Sequence, residues 1–247
     1  MTPRTLRTAD GLDLVAHCRL APGTPRAAVV VVHGFSASAA CPNVEALADA
    51  LHADDLDVIT YDARGHGASP GEATLGDHEQ HDVEAAVALA RERTPRVVVV
   101  GASMGAIAAV RYAVTDADLA GVVTLSCPAE WTLPRNVRGV LAAAMTRTPV
   151  GRLAMRRLCG VRISDRWTNP APPIDLVAQL KVPITYIHGT EDRFIAVRDA
   201  ARLWEATPEP RRLVVLRGMG HAFEPIATET VRVAVEWALA EELSPAS

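Results

Sequence analysis

The sequence predicts an α/β protein, a mostly parallel central sheet with helices on both faces. Three observations carry this. Runs such as AAVVVVH at 27–33 and RVVVVG at 96–101 are β-branched and apolar without interruption, as strands covered on both faces must be. Stretches with helical spacing separate these runs, which is the rhythm of parallel strands joined by crossovers. The chain has 247 residues, 49% of them hydrophobic, enough for a substantial core.

Taken in order, the chain opens with a β-hairpin. Leu12, Leu14 and Ala16 alternate within 12–20, just after the turn pair Asp10-Gly11. Residues 27–33 form the next strand, 43–53 a helix, and LDVITYD at 56–62 another strand. From Asp77 to Arg93 the apolar residues 83, 86, 87 and 90 keep helical spacing. The strand 96–101 leads into a helix to about Val114, and LAGVVTLS at 119–126 is the sixth strand. Later come VPITYIHG at 182–189, RLVVLRG at 212–218 and a last helix from about 227 to 242. Residues 127–180 break the rhythm: they hold one or two helices and no convincing strand. An insertion between two strands belongs at the strand ends. The expected organisation is therefore a core of 1–126 and 181–247 with a small helical lid, 127–180, that is not an independent domain.

Composition narrows the class. A formal charge of −4 gives no reason to expect nucleic acid as a partner. Cys18, Cys41, Cys127 and Cys159 are scattered without a CxxC pair, as free thiols in a reducing compartment would be. The first residues contain no apolar signal core, and no later run reaches the length of a membrane span. The expectation is a soluble cytoplasmic protein without a transmembrane segment. No residue pattern calls for a metal or a cofactor. The oligomeric state is not legible.

The chemistry begins at VVGASMGAIAAV, residues 99–110, where a strand turns at once into a helix. A turn this sharp strains its central residue and leaves no room for side chains two positions either side, so Gly101 and Gly105 flank Ser103. The strain lifts the Ser103 hydroxyl clear of the sheet. It also aims the first helical amides, including Met104 N–H, at whatever the serine attacks. A serine needs a base, usually a histidine oriented by a carboxylate. His221, in the glycine-flanked loop RGMGHAFE after strand 212–218, stands at a strand's C-terminal end, where open α/β sheets place their sites. HGTEDRFI follows the strand before it and offers Asp192, preferred to Glu191 because its shorter side chain suits a tight loop contact. His33, His66 and His188 adjoin glycines and are expected to brace loops.

At this point the chain resembles the α/β-hydrolase superfamily over essentially its whole length. Ser103, Asp192 and His221 follow that family's order of nucleophile, acid and base. VVHGFSAS looks like its oxyanion loop, which implies Phe35 N–H as the second oxyanion donor beside Met104. YDARGHGAS, GTEDRFI and GMGHAFE resemble three further motifs of the family. Relatives that open epoxides or displace halide carry aspartate at the elbow, and Ser103 sets this chain apart from them. Small-capped members of this length are similar to carboxylesterases and monoacylglycerol lipases (EC 3.1.1). The implied activity is hydrolysis of an ester or thioester of a small to medium acyl group through an acyl-enzyme. The alternatives are a lyase, a C–C bond hydrolase or a cofactor-free haloperoxidase using the same triad, and a catalytically idle binding protein. Trp131, Leu133, Val137, Leu141 and Met145 are the candidates for an apolar acyl pocket, with ordinary packing as the other reading of each. Residues 127–175 hold eight arginines against Glu130, Asp165 and Asp175, a net of +5, which leaves −9 for the rest of the chain. That asymmetry suits an anionic substrate, or an anionic surface, as readily as it suits a solvated helix face.

Overall fold

The computed structural model describes residues 2–131, 137–166 and 168–242, without the side chains of 137–139. The opening hairpin pairs β1 (Thr2–Arg7) with β2 (Asp13–Arg19), antiparallel, through a turn in which Gly11 has φ +89°. Six strands follow: β3 (Ala28–Val32), β4 (Asp57–Tyr61), β5 (Val97–Ala102), β6 (Gly121–Leu125), β7 (Ile184–Gly189) and β8 (Arg211–Leu216). All eight form one sheet in the order β1-β2-β4-β3-β5-β6-β7-β8. Pairing is parallel from β4 to β8, and β2 joins β4 antiparallel.

Each central strand feeds two cores. Val29 and Val31, with Val98 and Val100, face a layer built on α1 (Pro42–His52) and α8 (Thr228–Glu242). Val30 and Val32, with Val97 and Val99, face α2 (Glu79–Arg91) and α3 (Met104–Ala113), and α7 (Val197–Ala206) adds Ala200 and Leu203 to that side. A side-chain period of two with both faces buried makes every position apolar. The expectation that strands are apolar throughout fails at the edge. In β8 every position is half-buried or exposed, and Arg211 and Arg212 lie over the rings of Trp204 and Trp237. An edge strand lacks the second neighbour that would bury it. The helix α7 lies in a stretch the sequence patterns left unassigned.

Residues 127–180 contribute α4 (Val137–Arg147), α5 (Pro149–Leu158) and the short α6 (Pro173–Leu176). Thr148 caps α5 by accepting the Gly151 N–H at 3.0 Å, and Pro149 fills the first helical position, where no amide is needed. A Cβ on Gly151 would meet the Ala144 carbonyl at 2.0 Å, so glycine is what lets α4 and α5 close into a hairpin. Met145, Met155, Val161, Ile163 and Ala73 form a small cluster beneath it with Phe35. The two ends of the segment belong to the main core, because Cys127, Ala129, Val177 and Leu180 are buried there. Among the described residues, no helix is long and apolar enough to cross a membrane.

Candidate active site

The turn at Ser103 is strained as its sequence requires. Ser103 takes φ 53°, ψ −114° between β5 and α3, a conformation that costs a non-glycine residue about 1–3 kcal/mol. A Cβ on Gly101 would lie 2.4 Å from the Gly105 carbonyl oxygen, and one on Gly105 would lie 2.3 Å from that of Val32. Both glycines are therefore obligatory. Ser103 N–H donates to the Leu125 carbonyl at 2.9 Å, which ties the turn to the end of β6.

Asp192 and His221 meet directly. His221 Nδ1 donates to Asp192 Oδ2 at 2.8 Å, and the Asp192 side chain is fully shielded from solvent. Oδ1 accepts the N–H groups of Phe194 and Ile195 at 2.8 and 2.9 Å. Burial pushes this carboxyl up, but the hydrogen bond and charge of His221 and the two amides outweigh burial and hold it below its ordinary value. Glu191 is exposed instead. Behind the acid, His188 Nε2 faces the Ile195 carbonyl at 3.1 Å and lies 3.6 Å from Asp192 Oδ2.

The His221 loop is tied to the same strand end as Ser103. Ser126, directly after the residue that holds Ser103, is fully buried and accepts the Ala222 N–H on its Oγ at 3.1 Å. Ser126 and Ala222 both have positive φ, 52° and 65°. Consecutive residues at the end of β6, Leu125 and Ser126, thus fix the Ser103 turn on one side and the His221 loop on the other. Among the described residues Ser103 Oγ is not hydrogen-bonded to the imidazole, a contact that tightens with substrate in sites of this kind. Sequence reasoning missed Ser126 altogether. Nothing in its local pattern marks it, since its role is a contact with a residue almost a hundred positions away.

The loop after β3 passes over the elbow. A Cβ on Gly34 would stand 3.4 Å from Ser103 Cβ, so the chain just before Phe35 runs beside the serine. Met104 opens α3, and first-turn amides have no acceptor within their helix. Ser36, at φ 61°, donates its N–H to His66 Nε2 at 3.4 Å, while His66 Nδ1 bonds the Arg64 carbonyl at 3.0 Å. His33 Nε2 accepts the Ala63 N–H at 3.0 Å. Burial, and then the neighbouring His66, push His33 down to about 4. Burial lowers His66 as well. In the 61–69 segment Asp62 accepts the amides of Ala39 and Ala68, and Arg64 is buried between Asp82 and Asp10. That segment braces the loop after β3, through Ala39 and His33, and touches none of Ser103, Asp192 and His221 through these bonds.

The five pocket candidates are placed unevenly. Met145 packs near Phe35. Leu141, one turn earlier on α4, is 60% exposed. Trp131 is half-buried and donates Nε1–H to the Pro170 carbonyl. Leu133 lies outside the described residues, as does the side chain of Val137.

A sheet of this order, with a strained serine after β5, an acid after β7 and a histidine after β8, defines an α/β hydrolase. The chain belongs to the serine aminopeptidase S33 family, whose family model matches residues 23–169. It is 26% identical to the uncharacterized protein YqkD of Bacillus subtilis over 183 residues, 67% of this chain and 55% of that one. The uncharacterized protein Rv2307c of Mycobacterium tuberculosis is 29% identical over 178 residues, 71% of this chain and 56% of that one. The chain thus spans little more than half the length of the curated relatives it matches. Among solved structures, the Pyrococcus furiosus esterase Pf2001 superimposes with a TM-score of 0.76 at 20% identity, over 97% of this chain and 90% of that one. The Paleococcus ferrophilus monoacylglycerol lipase does so with a TM-score of 0.66 at 22% identity, over 92% and 98%. At these identities the likeness is one of fold.

Proposed function

We propose that this chain is a serine hydrolase that cleaves a carboxylic ester or thioester of a small to medium acyl group through an acyl-enzyme. The observation that supports the reading is the hydrogen bond from His221 to the shielded Asp192 carboxylate, taken with the strained Ser103 and the tethers of its turn and of the histidine loop to the adjacent Leu125 and Ser126. His221 takes the Ser103 proton as Oγ attacks the carbonyl carbon. The amides of Phe35 and Met104 receive the negative charge on the carbonyl oxygen. His221 returns the proton to the departing alcohol or thiol, then activates water to release the acid. Asp192 holds the ring as the Nδ1–H tautomer and stabilises the imidazolium. The residues between 127 and 180 act as a lid over this site, with Met145 on its apolar underside.

A second reading concerns substrate charge. Between Glu130 and Asp165 the sequence has seven arginines and no acid. Arg162 is committed to the scaffold through the carbonyls of Ser69 and Gly71. Arg147, Arg156 and Arg157 are exposed and form no salt bridge among the described residues. That favours an anionic substrate such as an acyl-CoA or an acidic ester. The free cysteines fit a cytoplasmic setting. The test is hydrolysis of p-nitrophenyl esters from C2 to C12 and of acyl-CoAs, by wild type and Ser103→Ala, with fluorophosphonate labelling of Ser103. Turnover that survives Ser103→Ala would overturn the mechanism.

A further inference from the structure

Phe194 stands out on the acid loop. It is 51% exposed, the one aromatic among the exposed large apolar side chains of the described residues. Its ring centroid lies 5.1 Å from that of His221, tilted by 55°. The backbone that carries the ring is anchored to the acid, since Phe194 N–H donates to Asp192 Oδ1 at 2.8 Å and Ile195 N–H to the same oxygen at 2.9 Å. An aromatic ring thus stands against His221 on a residue that is half exposed.

We propose that Phe194 forms the wall of a leaving-group subsite and that the ester cleaved here carries an apolar, preferably aromatic, alcohol. The inference rests on the serine-hydrolase reading and names its substrate class. The argument is stereochemical. In the tetrahedral intermediate the former carbonyl oxygen points to the Phe35 and Met104 amides. The leaving oxygen must lie within reach of the imidazole, because it takes the proton from His221 as the C–O bond breaks. What borders His221 on its open side therefore borders the alcohol, not the acyl chain. The apolar cluster of Phe35, Met145 and Met155 lies by the oxyanion loop instead. A ring at this place meets an aryl or benzyl group through stacked or edge contacts and gives a small polar alcohol nothing.

The test compares benzyl acetate with methyl acetate, which share an acyl group, and methyl phenylacetate with methyl acetate, which share an alcohol. Wild type, Phe194→Leu and Phe194→Ala are assayed. The benzyl-to-methyl ratio of kcat/KM should fall about five- to tenfold in Phe194→Ala, less in Phe194→Leu, with the change in the acylation burst. The phenylacetate-to-acetate ratio should stay put. A uniform loss on all esters would make the ring a mere support for His221 and overturn the subsite. A change in the acyl ratio instead would place the ring on the wrong side and overturn it too. If wild type cleaves none of these esters and Ser103 resists fluorophosphonate, the hydrolase reading falls and the subsite with it. An active wild type with no response to alcohol at position 194 sinks the subsite alone.

Discussion

Removing the Ser126 hydroxyl should lower catalysis far more than its distance from the reaction suggests. Ser126 Oγ accepts the Ala222 N–H at 3.1 Å from a fully buried position. Ala222 follows His221 and sits at φ 65°, a conformation an alanine leaves unless something holds it. Ser126→Ala deletes the acceptor and leaves a partly buried amide unpaired, which costs about 1–3 kcal/mol. The histidine loop can escape that cost by moving, and the backbone strain at Ala222 favours the move. If the loss is expressed as loop opening, each 1.4 kcal/mol depopulates the productive His221 position tenfold. The expected result is a fall of about five- to a hundredfold in kcat/KM for p-nitrophenyl acetate, with a parallel fall in the rate of fluorophosphonate labelling. Ser126→Gly is the decisive partner, because it relieves the positive φ of residue 126 yet still lacks the hydroxyl. Both variants should lose activity alike. A glycine variant with wild-type kinetics would show that the backbone at 126 matters and the hydrogen bond does not. Kinetics within twofold of wild type in both, with only a lowered unfolding midpoint, would refute the positioning argument.

Gly105→Ala would press a methyl group to 2.3 Å from the Val32 carbonyl oxygen and 2.6 Å from that of His33. Backbone on both sides cannot give way, so urea unfolding should show a destabilisation of about 3 kcal/mol or more, at the upper end of overpacking effects. Acid should weaken the fold through His33, whose value is pushed down to about 4 by burial. Above about pH 6.5 the ring is neutral folded or unfolded; below it only the unfolded chain takes up the proton, so stability falls by about 1.4 kcal/mol per pH unit until about pH 4. His33→Gln should flatten that part of the stability profile, whatever it does to the midpoint at neutral pH. Arg156→Glu with Arg157→Glu should reduce kcat/KM several-fold for an acyl-CoA and leave a neutral ester of matched acyl length nearly unchanged. The difference should shrink between 0.1 and 1 M salt, as the Debye length falls from about 10 to about 3 Å.

The sequence by itself determined the layered α/β plan, the strands and most helices, and the candidates Ser103, Asp192 and His221. These are local or near-local signals. An unbroken valine run records burial on both faces, and two glycines around a serine record a turn with no space for a Cβ. Strand-end loops can be read from order alone. Tertiary structure decided what depends on neighbours far along the chain. It set the exposure of β8, because being last in the sheet is a matter of topology and not of composition. It committed Arg162 to carbonyls of the 69–71 loop while Arg156 and Arg157 stayed at the surface, although all three read alike as charge. It brought Ala222 to Ser126 and the Phe194 ring to His221. Contacts such as these join groups whose local sequence bears no trace of the partner, since a hydrogen bond or a ring contact acts over a few ångströms of space irrespective of how much chain lies between its ends.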